Sequence, residues 1–382
     1  MEHQQQSLFV QLRSVLEEYR AGHGTGEKLE EMLAQIIAGI LPPDPEFCEE
    51  IYRRWDKKAK PLGSLGRLEE MVARLGGIYE TLQPEIAKKA VIVMAADNGV
   101  VEEGVAQSDF HVTTTVTCNM TREDATVSIL AHQNGAEVFP VDIGMKEDIN
   151  CPGVWNEKIC HGTDNMTKGP AMTRTQALRA VLTGIRIVGQ LKEQGYGLFA
   201  TGEMGIGNTT TSSAMAAVLL ECPVETVTGR GAGLSSDGLS RKIAAIKKAI
   251  ALNRPDPSDI LDVLSKVGGL DIAGLVGCYI GAAAFRVPIL MDGFISTVAA
   301  LAAVRLAPLC REYIFPSHCS AEPAGKMVLD ALGMDAYIHA GMCLGEGTGA
   351  VMAFHLFDTA LAAYEKIPEF EDVDIEAYEH LK

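Results

Sequence analysis

The chain has 382 residues, of which 47% are hydrophobic and 22% are charged, and its formal net charge is −17. This composition indicates a globular protein with a large core, and the acidic balance argues against a nucleic-acid-binding surface, which needs clustered lysine and arginine. Nine cysteines are scattered without a C-x-x-C pair, which argues against a zinc site or a disulfide framework and favours a reducing compartment.

The first 45 residues predict two amphipathic helices followed by a linker. Apolar residues recur at helical spacing over 8–19 and again over 29–37, and a proline-rich segment follows at 41–45. The amino terminus lacks the basic-then-apolar pattern of a signal peptide, and the longest apolar run, residues 272–285, is too short to span a membrane. We therefore expect a cytoplasmic protein whose first 45 residues form a packing or dimerisation arm.

Beyond residue 89 the pattern changes to continuous apolar strands, each running into a polar residue and a glycine. Four such strands are predicted, with helical sequence between them, at 90–96, 138–141, 197–200 and 288–291. Continuous apolar strands indicate a parallel sheet that is buried on both faces. In such sheets ligands bind beyond the carboxyl ends of the strands. We predict a doubly wound α/β fold with its functional residues at those ends.

One ionisable residue, Glu346, lies inside the glycine-rich segment 344–350. Glycines let the backbone come close to a ligand, and a carboxylate among small apolar neighbours loses hydration, which raises its pKa and makes it a better proton acceptor. The alternative is an ordinary turn whose glutamate caps the helix predicted over 350–363. Both interpretations are open at this point.

Two further glycine-rich loops, 201–211 and 229–234, each precede a helix. Glycines followed by hydroxyl side chains at a helix start can bind phosphate through free backbone N–H groups and the helix dipole. Neither loop is a Walker A motif or a G-x-G-x-x-G fingerprint. The pair suggests a nucleotide monophosphate held from two sides, with Lys242 on the second helix. The alternatives are ordinary turns and a solvated lysine.

The segment 317–323 contains a serine, a histidine and a cysteine in a row. It lacks the G-x-S-x-G elbow and a partnering acid, so we expect a ligand-contacting loop with Ser320 as a hydroxyl donor and a structural His318. The histidines show no metal-ligand spacing, and no metal site is predicted. Enzymes that use phosphoribosyl pyrophosphate usually place two adjacent acids after a strand, where they hold the ribose and the magnesium diphosphate. No strand-end acid of this chain has an acidic neighbour, which favours a mononucleotide donor.

Taken together, these segments resemble the nicotinate-nucleotide:dimethylbenzimidazole phosphoribosyltransferase family over roughly residues 50 to 360. The matching segments are 60–68, 97–103, 119–122, 202–210, 262–269, 292–294, 317–322 and 345–349. The resemblance implies a Rossmann-like parallel sheet flanked by helices, with a small helical domain formed from the terminal segments. The expected divisions are N-terminal helices at 1–85, an α/β nucleotide-binding domain at 86–340, and the active-site loop with a C-terminal helix at 341–382.

The resemblance also implies the reaction. Phosphoribose moves from nicotinate mononucleotide to an aromatic lower-ligand base, 5,6-dimethylbenzimidazole or a related benzimidazole, which gives the α-ribotide and nicotinate in cobamide biosynthesis without a metal or cofactor. Glu346 matches the general base, and Glu203 matches a second carboxylate near the ribose. The residues that match the mononucleotide site are Gly205, Gly207, Asn208, Gly231, Gly233, Lys242 and Ser320. Those that fall in the pocket for the aromatic base are Pro61, Ser108, Val116 and Leu344.

The chain departs from the family at several positions near the expected base pocket. Asn98 stands where histidine is common, Val116 stands where the family carries a glutamine, and the segment 106–111 is divergent. A more apolar pocket leaves a phenol or p-cresol acceptor open, with the chain acting beside a homologous subunit. A homodimer or a heterodimer is therefore expected. Two other possibilities are a non-catalytic nucleotide-binding partner subunit and a nicotinamide-cofactor oxidoreductase, although the oxidoreductase fingerprint is absent.

Overall fold

The structure is a computed structural model that describes residues 2–379, with side chains described from residue 5. Four helices precede the first strand, and five helices separate the fourth strand from the fifth. The helices are α1 (Glu2–Arg20), α2 (Gly26–Ala38), α3 (Pro45–Lys57), α4 (Arg67–Tyr79), α5 (Phe110–Met120), α6 (Thr126–Gln133), α7 (Arg174–Glu193), α8 (Asn208–Leu219), α9 (Val224–Val227), α10 (Ser236–Asn253), α11 (Ile260–Val267), α12 (Leu270–Ala284), α13 (Phe294–Leu306), α14 (Gly325–Ala331) and α15 (Thr348–Lys366). The strands are β1 (Lys89–Ala96), β2 (Ala136–Gly144), β3 (Trp155–Asn156), β4 (Leu198–Met204), β5 (Ile289–Met291) and β6 (Ile314–Pro316).

The six strands form one parallel sheet in the order β3-β2-β1-β4-β5-β6. This is the doubly wound order in which the chain reverses direction across the sheet between β1 and β4, and ligands bind in the crevice at that point. The predicted fold class is confirmed. All four predicted strands are present, and the sequence analysis missed β3 and β6, which have two and three residues.

Both faces of the sheet are covered by helices, which explains the continuous apolar strands. The apolar run at 272–285 forms most of α12, which lies on β1, β2 and β4 beneath α7. The helices α5, α6 and α15 cover the opposite face. Because α12 is buried along its whole length, it has no polar stripe.

The terminal helices occupy two places. The helices α1 and α2, which the periodicity predicted, pack against α7, whereas α3 and α4 pack together and α4 contacts α15. Trp55 of α3 meets Tyr364 of α15 edge-on, with ring centroids 5.0 Å apart. The predicted linker ends where Asp44 caps α3. The domain limits at 85 and 340 stay predictions. Among the described helices, none has the length and apolar character needed to cross a bilayer.

Candidate active site

Three consecutive left-handed residues build the turn that carries the candidate base. The φ angles of Gly345, Glu346 and Gly347 are +95°, +63° and +96°. A left-handed residue other than glycine costs roughly 1–2 kcal/mol, so the surroundings must hold Glu346 in place. The turn interlocks with β4, since a Cβ on Gly202 would run into the carbonyl of Glu346 and one on Gly345 would lie 2.5 Å from Glu203 Oε1.

The side chain of Glu346 points away from the helix that follows it. Its Oε2 accepts a hydrogen bond of 3.3 Å from the backbone N–H of Val127, in the first turn of α6. That helix start has no cap of its own, because its N-cap residue is Ala125. The interpretation of Glu346 as the cap of the next helix is therefore wrong. Burial raises the pKa of Glu346 above its ordinary value, the charge of Asp292 adds to this, and the Val127 bond opposes it.

Glu203 lies beside this turn near the carboxyl end of β4, opposite Met94 of β1. Its carboxylate accepts a hydrogen bond from the Asn208 amide of α8. Burial raises the pKa of Glu203 well above its ordinary value, and the charges of Asp271 and Asp292 raise it further. Burial and mutual repulsion make it costly to ionise these carboxylates together, so the site would favour a ligand that carries positive charge.

Lys242 is fully buried and joins the two glycine-rich loops. Its Nζ donates to Thr209 Oγ1 at 2.8 Å and to the carbonyl oxygen of Gly229 at 3.2 Å. Burial lowers the pKa of this lysine to about 8. The interpretation of Lys242 as a solvated helix charge is therefore wrong. A buried ammonium whose hydrogen bonds go to neutral oxygens suits a phosphate group, whose negative charge would stabilise the protonated form.

The glycines at these loops serve close approach and turn geometry. A Cβ on Gly205 would meet the Ala96 carbonyl, and Gly207 takes φ +94° directly before the start of α8. Gly231 and Gly233 have φ +52° and +92°. Both loops therefore place a helix start or a turn where backbone amides can face an anion.

Ser320 lies near the end of β5 and is largely buried. Its Oγ accepts a hydrogen bond of 3.3 Å from the backbone N–H of Glu322. A Cβ on Gly293 would lie 3.7 Å from the Ser320 Cβ. The serine is thus at the same edge of the sheet as Asp292.

The four residues predicted to bind the aromatic base differ in burial and lie on different elements. Val116 is half-buried on α5 and packs against the core, whereas Leu344 is 57% exposed beside the Glu346 turn. Pro61 and Ser108 are exposed on loops. Among residues 5–379, no hydrogen bond or ion pair joins Pro61 or Ser108 to Glu346. The role of these four residues in binding the aromatic base stays a prediction.

Sequence reasoning gave no site role to two buried acids found here, one of which, Asp292, it had noted only as a strand-end acid. Asp271 lies in the first turn of α12, and its pKa is raised to about 7 by burial. Asp292 follows β5, and its carboxylate faces the Glu346 turn. Each is isolated in sequence, so nothing local shows that they meet, although an acid immediately before a long apolar helix was a usable indication for Asp271. No group of three or more metal-ligating side chains occurs among the described residues.

Comparison with known proteins identifies the relatives of this fold and site. The family model DBI_PRT, described as phosphoribosyltransferase, matches residues 40–375. The chain belongs to this phosphoribosyltransferase family. A relative from Ruminiclostridium cellulolyticum, named nicotinate-nucleotide--dimethylbenzimidazole phosphoribosyltransferase, is 52% identical over 91% of this chain and 99% of its own length. A relative of the same name from Acetivibrio thermocellus is 51% identical over the same shares.

A solved structure agrees with this assignment. The crystal structure of CobT from Thermus thermophilus is 36% identical and superposes with a TM-score of 0.83, covering 87% of this chain and 100% of that one. The resemblance drawn from the sequence is confirmed, and with it the enzyme class. The family assignment argues against the nicotinamide-cofactor oxidoreductase.

Proposed function

We propose that this phosphoribosyltransferase moves phosphoribose from nicotinate mononucleotide to an aromatic lower-ligand base of the benzimidazole type, releasing nicotinate and giving the α-ribotide used in cobamide synthesis. The observation that carries the proposal is the carboxylate of Glu346, held in a left-handed turn against Glu203 at the strand-end edge of the sheet. Relatives about 50% identical bear the name of this activity.

The chemistry asks for little acid catalysis. The pyridinium nitrogen of the donor is positively charged while it is bonded to ribose, so it departs with the C1′ bonding pair and needs no proton. A ring nitrogen of the acceptor forms the new bond to C1′, and the ring N–H proton passes to Glu346. The raised pKa of Glu346 makes it a stronger base than an exposed glutamate.

The other residues would hold the donor and its charge. Glu203 lies where its anionic form would stabilise positive charge developing at the sugar, and a bound pyridinium would in turn favour that anionic form. Lys242, the helix start after Gly207, and the turn at Gly231 and Gly233 would hold the phosphate. Together they would align C1′ with the incoming nitrogen, and such alignment can supply a large part of a rate enhancement.

A phenol or p-cresol acceptor is the second candidate, favoured by one observation. Val116 of α5 is apolar and stands where the family is expected to carry a glutamine. Because the amide is missing, the pocket would suit an acceptor that has only one polar atom. Its O–H proton would also pass to Glu346. In that case the chain would work beside a homologous subunit; otherwise a homodimer in the cytoplasm is expected. The intact pair Glu346 and Glu203 argues against a non-catalytic partner subunit.

The test is direct. The purified chain is incubated with nicotinate mononucleotide and, in separate reactions, 5,6-dimethylbenzimidazole, phenol or p-cresol, and the ribotides are identified by mass. We expect the benzimidazole ribotide together with an equal amount of nicotinate. Phenolic ribotides alone would establish the second candidate. No ribotide from any acceptor, while nicotinate mononucleotide still binds, would overturn the catalytic proposal for the isolated chain.

A further inference from the structure

The turn that carries Glu346 is fastened by a side chain from another strand. Asp292, 2% exposed after β5, accepts backbone hydrogen bonds from Gly347 at 3.1 Å, from Gly349 at 2.8 Å and from Ala350 at 3.0 Å. These are the first amides of α15, whose N-cap residue is Gly347 and offers no side chain. Asp292 therefore caps α15 in place of a local residue.

The cap bears directly on the candidate base because Glu346 immediately precedes Gly347. Glu346 takes an unfavourable left-handed conformation, and the glycines on either side add backbone freedom. The contacts from other elements that hold the turn include its packing on Gly202, the side-chain bond to Val127 and the amides bound by Asp292. Of these, only Asp292 binds the backbone that continues into α15.

We propose that Asp292 is a positioning residue of the transfer reaction, which fixes the backbone of the Glu346 turn and presents a negative charge to the Glu346 carboxylate. This inference rests on the proposed function, because it assigns Asp292 to the proton transfer at Glu346. Both oxygens of the Asp292 carboxylate bind amides that directly follow Glu346, so one group can hold the backbone and carry the charge.

Electrostatics support the second purpose. The charge of Asp292 raises the pKa of Glu346, in addition to burial. Groups from four other elements face this pair: Glu203 on β4, Tyr279 on α12, His318 after β6 and the Val127 amide of α6. His318 Nδ1 lies 3.7 Å from Asp292 Oδ1. Removing the Asp292 charge should therefore lower the pKa of Glu346 and move the acid limb of the activity profile to lower pH.

Two variants separate charge from position. D292N keeps one acceptor oxygen but loses the charge, whereas D292E keeps the charge but moves it by one methylene. D44N is the matched control, because Asp44 also caps a helix, α3, through Glu46 and Phe47. Each protein is assayed for kcat, for KM of both substrates and for the pH dependence of kcat/KM, after a thermal melt has verified folding.

For D292N we expect kcat to fall about ten- to a hundredfold, with the KM for nicotinate mononucleotide nearly unchanged and the acid limb about 0.5 to 1 pH unit lower. For D292E we expect a lower kcat with the acid limb in place. D44N should match the wild type. If D292N does not fold, the test rests on D292E. A kcat equal to that of the wild type in D292E would overturn the inference.

A D292N enzyme with the kcat and acid limb of the wild type would equally overturn it. Wild-type protein that makes no ribotide would instead be a failure of the proposed function. The two failures are therefore distinguishable.

Discussion

The amino-terminal helices and the strand-end edge of the sheet place their charges in opposite ways. Over residues 5–38 of α1 and α2, the buried side chains are apolar and the ion pairs, such as Lys28 with Glu18, are exposed. At the strand ends, acids and a lysine are buried, and within the described part of the chain one side-chain oxygen each of Asp97, Asn98 and Asp271 has no hydrogen-bond partner.

This difference separates a region that stabilises the fold from one that is organised for ligands. Burying an unpaired polar group or several like charges costs free energy. Proteins retain such groups where function requires them, often at the expense of stability. The strand-end cluster therefore marks the site without reference to any relative, and four predictions test the contrast.

The largest effect is expected for E346Q. Glutamine keeps the size of the side chain but cannot take a proton, so kcat should fall about 10²- to 10⁴-fold while the affinity for nicotinate mononucleotide stays nearly unchanged. Steady-state kinetics and calorimetric titration measure the two quantities. E371Q, which changes an exposed glutamate in the C-terminal segment, is the control. Unchanged turnover in E346Q would remove Glu346 from the mechanism.

The next effect is expected for G202A. The added methyl group would run into the carbonyl of Glu346, so the turn has to shift. A displacement of about 1 Å at a reacting group can cost about a hundredfold in kcat. G169A is the matched control, since nothing lies within 4 Å of a Cβ at that glycine. Equal kinetics for the two variants would show that the interlock with β4 does not position the base.

A third prediction concerns stability. Burial raises the pKa of Asp271 to about 7 in the folded chain. The folded state therefore holds this proton more tightly than the unfolded chain does. The wild type loses stability as the pH rises from the pKa of Asp271 in the unfolded chain towards 7. D271N does not titrate. Its stability relative to the wild type should therefore increase by up to about 4 kcal/mol between about pH 4 and pH 7.

Urea unfolding at several pH values measures this difference. D330N, at an exposed position in α14, is the control. A difference between D271N and the wild type that stays constant with pH would show that Asp271 is ionised throughout.

The smallest effect is expected in the amino-terminal helices. K28A breaks the ion pair between Lys28 and Glu18, whose side chains are 54% and 45% exposed respectively. Exposed pairs contribute less than about 1 kcal/mol. The unfolding free energy should change by no more than that, and kcat should be that of the wild type. A large loss of activity in K28A would show that α1 and α2 take part in the site.

The order and type of the main elements followed from the sequence alone, because apolar periodicity is a local property. The four strands, the amphipathic α1 and α2, and the buried α12 were all readable from spacing. The isolation of Glu346 among glycines was enough to make it a candidate, but the sequence left open whether it caps the following helix.

Only the tertiary structure decided which distant residues meet. Asp292 approaches Glu203 and Glu346 because strand order and register bring separate strand ends to one edge, and the start of α12 brings Asp271 to Glu203. No local pattern encodes either approach. The same holds for Lys242, whose helix carries it into the core between two loops, and for Glu346, whose side chain binds α6 and not α15.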